Sequence, residues 1–197
     1  MKVGQVVFGQ NRRVTVLTIR AAAPADLDEL AELAAETFPL ACPPGASERD
    51  IAAYLAAELT PERFAAHLAD PARAVLLAAD EDGRLIGWSM LVGGEPGDAD
   101  AAAAVAARPT IELSKFYTRA GVHGRGVAAE LMTASLEVAA AGGAASVWLG
   151  VNAENARAIR FYEKQGFARV GAKRFRLGGR LEHDLVLERA FDAPAGA

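Results

Sequence analysis

A single mixed α/β domain is what this sequence predicts, and three observations predict it. Short apolar runs rich in β-branched and aromatic residues alternate with stretches of helical period. Their order is strand, helices, hairpin, strand–helix, strand–helix, hairpin, which places flanking helices on a central mixed sheet of about six to seven strands. The length of 197 residues suits one domain and is short for two.

Residues 1–13 show no clear period and read as a leader, irregular or added at an edge. Val14 to Ile19 alternates as a first strand. Pro24 opens a helix whose Leu27, Leu30, Leu33 and Phe38 share one face, with Asp26 and Asp28 in a first turn that favours negative charge. PLACPPGAS is a proline-broken loop. Ser47 then caps a helix over ERDIAAYLAAEL, and Thr60-Pro61 begins another that runs to Leu68. The stretch 38–69 is a candidate substrate wall, although a plain helical cover for the sheet has the same signature. Arg73–Ala79 and Leu85–Val92 flank Asp80-Glu81-Asp82-Gly83, a hairpin signal. Residues 93–109 are low in complexity and read as a flexible or irregular loop with room for one alanine-rich turn of helix. Thr110–Thr118 is the next strand. Strict alternation puts Ile111, Leu113, Lys115 and Tyr117 on one face and Glu112, Ser114 and Phe116 on the other. A glycine turn over 121–126 opens a helix with Val127, Leu131 and Val138 on its stripe, ended by Gly142-Gly143. Ala168–Arg176 and Arg180–Arg189 form the closing hairpin around Gly178-Gly179.

Composition removes several classes of function. A formal charge of −4 leaves no basic footprint for nucleic acid. No apolar run is long enough to span a bilayer, and the N-terminus lacks a secretory core, so a cytoplasmic protein is expected. Cys42 is the lone cysteine, and His67, His123 and His183 stand too far apart for metal-ligand spacing, so no metal site is expected. Exposed edge strands would allow a homodimer.

Two stretches carry chemistry. In VWLGVNAENARAIRFYEKQGF (147–167) a short apolar strand meets a polar turn and then a helix stopped by Gly166. Asn155 stands at the helix mouth, where its amide can satisfy backbone groups or hold a ligand. Tyr162 lies two turns into the helix, so its hydroxyl can return to the strand end where ligands collect in α/β sheets. A core tyrosine with a satisfied hydroxyl fits the same pattern. The second stretch is His123-Gly124-Arg125-Gly126-Val127-Ala128, a strand-to-helix turn. Its glycines let backbone approach a ligand closely, and the N–H groups of the new helix form an anion cradle. Gly124-x-Gly126-x-x-Ala129 also spells a dinucleotide fingerprint, but the following strand ends at Val151-Asn152 without the acid that would hold ribose.

VNAENARAIRFYEKQGF closely resembles the last signature segment of the GCN5-related N-acetyltransferase (GNAT) superfamily, and the likeness runs from about Thr15 to Phe191. Within that superfamily the chain is similar to the bacterial spermidine/spermine N-acetyltransferases of the PaiA type. The shared features are the Thr37-Phe38 helix end, Ala53-Tyr54-Leu55, IELSKFYT, WLGV and the late Gly171…Phe175…Gly178…Asp184 pattern, whereas PLACPPG departs from it. The resemblance implies the GNAT fold over 14–191 with a short tail at 192–197, acetyl-CoA as cosubstrate and a small-molecule amine as acceptor, with polyamine leading. It implies that Tyr162 protonates the departing thiolate and that Asn155 lies beside the pantetheine arm. It also implies that the edge Phe116-Tyr117-Thr118 pairs with the pantetheine amides, and that the turn 123–128 takes the pyrophosphate. His123 departs from the Gln or Arg usual at the head of that turn.

Alkyl amines have a pKa near about 10, so the site must deliver the acceptor neutral. Glu112 is the candidate base, and a strand carboxylate paired with a neighbouring cation is the plainer reading. A backbone N–H near Phe116 can stabilise the charged acyl oxygen if the strand splays there. Glu36, Asp50 and Glu58 are candidate readers of a polycation, and Cys42 is expected to be inert. The alternatives are an amino-acid, antibiotic or protein N-terminal acceptor, and a non-catalytic acyl-CoA-binding sensor.

Overall fold

The computed structural model describes residues 17–43, 45–177 and 180–191. The expected leader at 1–13, the strand residues 14–16, the Gly178-Gly179 turn and the tail at 192–197 lie outside the described residues. In chain order the elements are β1 (Thr18–Ala21), α1 (Leu27–Thr37), α2 (Glu48–Glu58), α3 (Pro61–Ala69), β2 (Arg73–Ala79), β3 (Leu85–Gly93), α4 (Ala99–Ala104), β4 (Thr110–Thr118), α5 (Val127–Ala141), β5 (Ser146–Asn152), α6 (Ala156–Lys164), β6 (Ala168–Leu177) and β7 (Arg180–Ala190).

Local chemistry sets the ends. Ser47 Oγ accepts the Asp50 N–H at 3.0 Å, and Thr60 Oγ1 accepts the Arg63 N–H at 3.3 Å, so each satisfies a donor that the helix leaves open. Asp26 accepts the Ala23 N–H at 2.8 Å and grips both Arg20 guanidinium nitrogens at 2.6 Å. Arg20 holds that carboxyl below the usual carboxylate range. The β2–β3 turn closes on Gly83 at φ 82°, a left-handed value that side chains disfavour.

The strands form one seven-stranded sheet in the order β1-β2-β3-β4-β5-β7-β6. Every neighbouring pair is antiparallel except β4 and β5. On one face α1, α2 and α3 cover Trp88 and Met90 with Leu30, Leu33 and Phe64. On the other face α5 and α6 cover Leu91, Leu113 and Leu149 with Met132 and Ile159. Phe64 and Trp88 are fully buried and meet edge to face at 5.3 Å. The mixed α/β architecture expected from the sequence is the one observed.

One expectation is corrected. Strict alternation along β4 fails because the β3–β4 register slips between Met90 and Leu91: Met90 opposes Lys115, Leu91 opposes Leu113, and Ser114 is the extra residue. A bulge reverses the phase of everything beyond it. Ile111, Leu113 and Phe116 therefore pack with α5 and α6, while Tyr117 packs with the α1–α3 layer. The segment 93–109 holds the short alanine-rich helix for which the sequence left room, α4, within otherwise irregular chain. Asp98 Oδ1 caps α4 by accepting the Ala101 N–H at 2.9 Å. Ala101 and Val105 are buried against Trp148 and Val186, and the Glu188 carboxylate accepts the N–H groups of Ala106 and Ala107 at 3.1 and 3.0 Å.

Candidate active site

The site begins where two parallel strands part. β4 and β5 are paired only at Thr110–Ser146, Ile111–Val147 and Glu112–Trp148. Beyond Glu112 the β5-facing edge of β4 has no ladder partner among the described residues, although β4 continues to Thr118 and β5 to Asn152. An open edge of this kind offers backbone donors and acceptors to an extended ligand. The Ser114 bulge bends β4 at the point of parting. A cavity of about 560 Å³ fills the gap and extends under the α1–α2 connection. Its lining takes in Glu112 through Thr118, the glycine turn, and Arg157, Ala158, Phe161 and Tyr162 of α6.

At one end of the cavity stands the glycine turn. Gly124 and Gly126 sit at φ 78° and 87°, and nothing lies within 4 Å of a Cβ built on either. Conformation, not crowding, is therefore what calls for glycine, and the turn is open in front of the first residues of α5. Gly126 is the N-cap of α5 and has no side chain to occupy the free N–H groups. His123, Gly124, Gly126 and Ala128 line the cavity. Arg125 is exposed beside them, and the Val127 side chain turns away into the core with Leu17 and Leu131.

α6 supplies the wall opposite β4. Asn155 Oδ1 accepts the Ala158 N–H at 3.1 Å, which fixes the helix start and keeps the amide at the cavity edge. Tyr162 faces the parting of the strands, ringed by Phe116, Phe161 and Phe167 with centroids 6.3, 5.5 and 5.9 Å away. Burial among these rings holds its hydroxyl protonated well above the ordinary tyrosine range. A group so placed is a proton donor to any stronger base that forms beside it. Phe116 stacks on Phe161 at 5.7 Å, so its ring packs against α6 while the residue lines the cavity.

On the opposite face of the sheet the cavity is polar and aromatic. Tyr117 stacks on Trp88 at 5.3 Å and meets the Phe38 edge at 6.2 Å, and Phe38 stacks in turn on Tyr54 at 4.5 Å. Burial, with Tyr54 and Tyr162 nearby, pushes the Tyr117 hydroxyl well up. The carboxylates that line the cavity are Glu112, Glu182 and Asp184. Asp184 is opposed to Asn152 across the β5–β7 ladder and to Lys173 across the β6–β7 ladder. Burial raises its carboxyl, and Lys173 partly offsets the effect. The acids suggested by sequence as polycation readers are engaged elsewhere. Glu36 pairs with Arg119, Glu58 with Arg63 at 3.2 Å, and Asp50 accepts from Ser47 at 2.8 Å; none lines the cavity. Cys42 does line it, with burial pushing its thiol up and away from nucleophilic thiolate.

Sequence reasoning singled out Tyr162, Asn155, Glu112, Phe116–Thr118 and the glycine turn, and the fold brings them to one cavity. It missed Arg157, Lys173 and Glu182, and it noted Asp184 without a role. The alternation in β7 held a signal: Glu182, Asp184 and Glu188 share one face of a strand, an unusual density of acid on a buried element. Among the described residues no group of His, Cys, Asp and Glu is placed to hold a metal ion, and no helix is long and apolar enough to cross a membrane.

An open parallel strand pair, a glycine turn at a helix start and a half-buried tyrosine thus share one cavity. The profile of the Acetyltransferase (GNAT) family matches residues 27–167, and the chain belongs to that family. An uncharacterized N-acetyltransferase of Mycobacterium bovis is 48% identical over 164 residues, covering 83% of this chain and 97% of the relative. A counterpart in Mycobacterium tuberculosis matches to the same extent. Among solved structures, a PaiA N-acetyltransferase from Thermoplasma acidophilum in complex with coenzyme A superposes with TM-score 0.69 at 20% identity, over 89% of this chain and 99% of that one. A ribosomal-protein-alanine N-acetyltransferase from Brucella melitensis gives 0.65 at 22%, over 88% and 99%. At these identities the structural likeness speaks for the fold alone.

Proposed function

We propose that the protein transfers an acetyl group from acetyl-CoA to a primary amine, with a polyamine such as spermidine or spermine as the leading acceptor. The observation that carries this reading is the parting of β4 from β5 beside Tyr162. The fit of the cosubstrate rests on the same geometry. The open glycine turn and the N-terminus of α5 suit a pyrophosphate, and the unpaired edge Phe116–Thr118 suits the amides of a pantetheine arm. When bound, acetyl-CoA supplies a thioester whose acyl carbon bonds to the amine nitrogen as its bond to sulfur breaks.

The residues divide the remaining work. Glu112, at the last rung before the strands part, takes the proton that the acceptor must lose. Unpaired backbone N–H groups of β4 near Phe116 face the negative charge that builds on the acyl oxygen. Tyr162 gives its proton to the leaving thiolate and regains one from solvent. Asn155 stands beside the arm, and the aromatic wall keeps water from the centre. Polyamine is favoured because the cavity holds Glu112, Glu182 and Asp184 together with tyrosine and phenylalanine rings, a lining suited to alkylammonium groups.

The test is free-thiol release from acetyl-CoA by the purified full chain against spermidine, spermine, lysine, an aminoglycoside and a short peptide. Turnover on polyamines is the expected result. Turnover on another amine keeps the transferase and discards the acceptor. Acetyl-CoA binding with no turnover on any of them would instead support the sensor reading.

A further inference from the structure

Asp184 has a property that the proposed chemistry leaves unused. The residue is 9% exposed and lines the cavity. Among the described residues no hydrogen bond and no ion pair reaches its carboxylate; only burial and the more distant charges of Lys173 and Glu182 act on it. Lys173 is its partner across the β6–β7 ladder, yet the ammonium lies over the Trp148 ring, 5.6 Å from the centroid. Gly150 makes that path possible, because a Cβ there would stand 2.6 Å from Lys173 Cε and 3.4 Å from Asp184 Oδ2. A carboxylate held out of water without a hydrogen bond is unfavourable, and a cation delivered into the cavity relieves it.

Register sets the distance from the reacting end. Glu112 is opposite Trp148 and Asp184 is opposite Asn152, so both side chains project from one face of the sheet. Four residues of β5 separate the two rungs, roughly 13 Å along the strand, and β5 lies between β4 and β7, which adds roughly 10 Å across the sheet. Two carboxylates at that separation suit the two ends of an extended chain better than they suit one ammonium. Resting on the acetyltransferase reading above, we propose that Asp184 anchors a second ammonium group of the acceptor, so that the substrate is a diamine or polyamine with its reacting amine beside Glu112. Asp184 then fixes which amine is acetylated and how far it reaches, while proton transfer stays with Glu112 and Tyr162.

The experiment is calorimetric titration of the full chain, saturated with coenzyme A, with spermidine and with butylamine. The expected result is that wild type prefers spermidine by about tenfold or more, that Asp184→Asn removes this preference, and that Asp184→Glu restores part of it. Coenzyme A affinity should be unchanged in both variants. Equal binding of the two amines by wild type, no spermidine binding, or an Asp184→Asn protein that keeps the preference would each overturn the anchor. Should Asp184→Asn fail to fold, Lys173→Met carries the test: removing the competing cation should tighten spermidine binding, and an unchanged or weaker affinity overturns the proposal. Thiol release separates this from the transferase reading. Spermidine held through Asp184 without thiol release leaves the anchor and removes the reaction. Equal thiol release on monoamines and diamines, untouched by Asp184→Asn, leaves the reaction and removes the anchor.

Discussion

Arg157 donates from Nη1 to Nδ1 of His123 at 2.7 Å, tying the first turn of α6 to the glycine turn that opens α5. The two sides of the proposed coenzyme cleft are thereby linked across its mouth. An imidazole nitrogen that accepts must be unprotonated, and burial together with the Arg157 charge holds His123 below the ordinary histidine range. The contact is present at neutral pH and lost as pH falls through the depressed His123 value, when a cation would face a cation. We expect an NMR titration midpoint for His123 below about 6.5. Arg157→Ala should move it up and raise the KM for acetyl-CoA. A midpoint that is unshifted in wild type and indifferent to Arg157 would show that the contact does not persist in solution.

Tyr162→Phe removes one oxygen and leaves the packing with Phe116, Phe161 and Phe167 intact. As proton donor to the thiolate, Tyr162 should cost about 10²- to 10⁴-fold in kcat when removed, with acetyl-CoA affinity little changed. Since burial raises its hydroxyl, the pH–rate profile should show no tyrosine limb up to about pH 10, the ordinary tyrosine value. A Tyr162→Phe enzyme with wild-type kcat would reduce Tyr162 to a core residue.

Glu112→Gln should lower kcat/KM at neutral pH by about two orders of magnitude. The defect should shrink as pH climbs toward about 10, where solution itself supplies neutral amine. A loss of the same size at every pH would assign Glu112 to binding or to the fold.

The elements that sequence made legible are those whose local chemistry is self-contained. The caps at Ser47 and Thr60, the Gly83 turn and the glycine turn at 124–126 are each decided within a few residues, and each stands where expected. β4 was legible as a strand but not in its facing, because the Ser114 bulge is decided by its pairing with β3. Arg157 and Lys173 escaped notice for a related reason. Each acts on a partner from another element, His123 and Asp184, and a long cationic side chain on an amphipathic segment ordinarily signals only a solvated face. Low complexity hid the docking of 93–109, since alanine gives no amphipathic stripe and the decisive contact comes from Glu188, more than 80 residues later.

That contact supports the last prediction. Glu188 is buried, and its two oxygens accept the N–H groups of Ala106 and Ala107 just after α4. Glu188→Ala leaves both backbone donors without an acceptor while α4 still covers Trp148 and Val186. The expected cost is about 1 kcal/mol of unfolding free energy, set by two part-buried donors losing a charged acceptor and not by lost apolar area. Chemical denaturation measures the loss, and hydrogen exchange locates it: Ala106 and Ala107 should lose protection while β2 and β3, on the far side of the sheet, keep theirs. Uniform loss of protection would mean that Glu188 supports the whole β5–β7 ladder. Unchanged stability would mean that the apolar contacts of Ala101 and Val105 hold the segment without it.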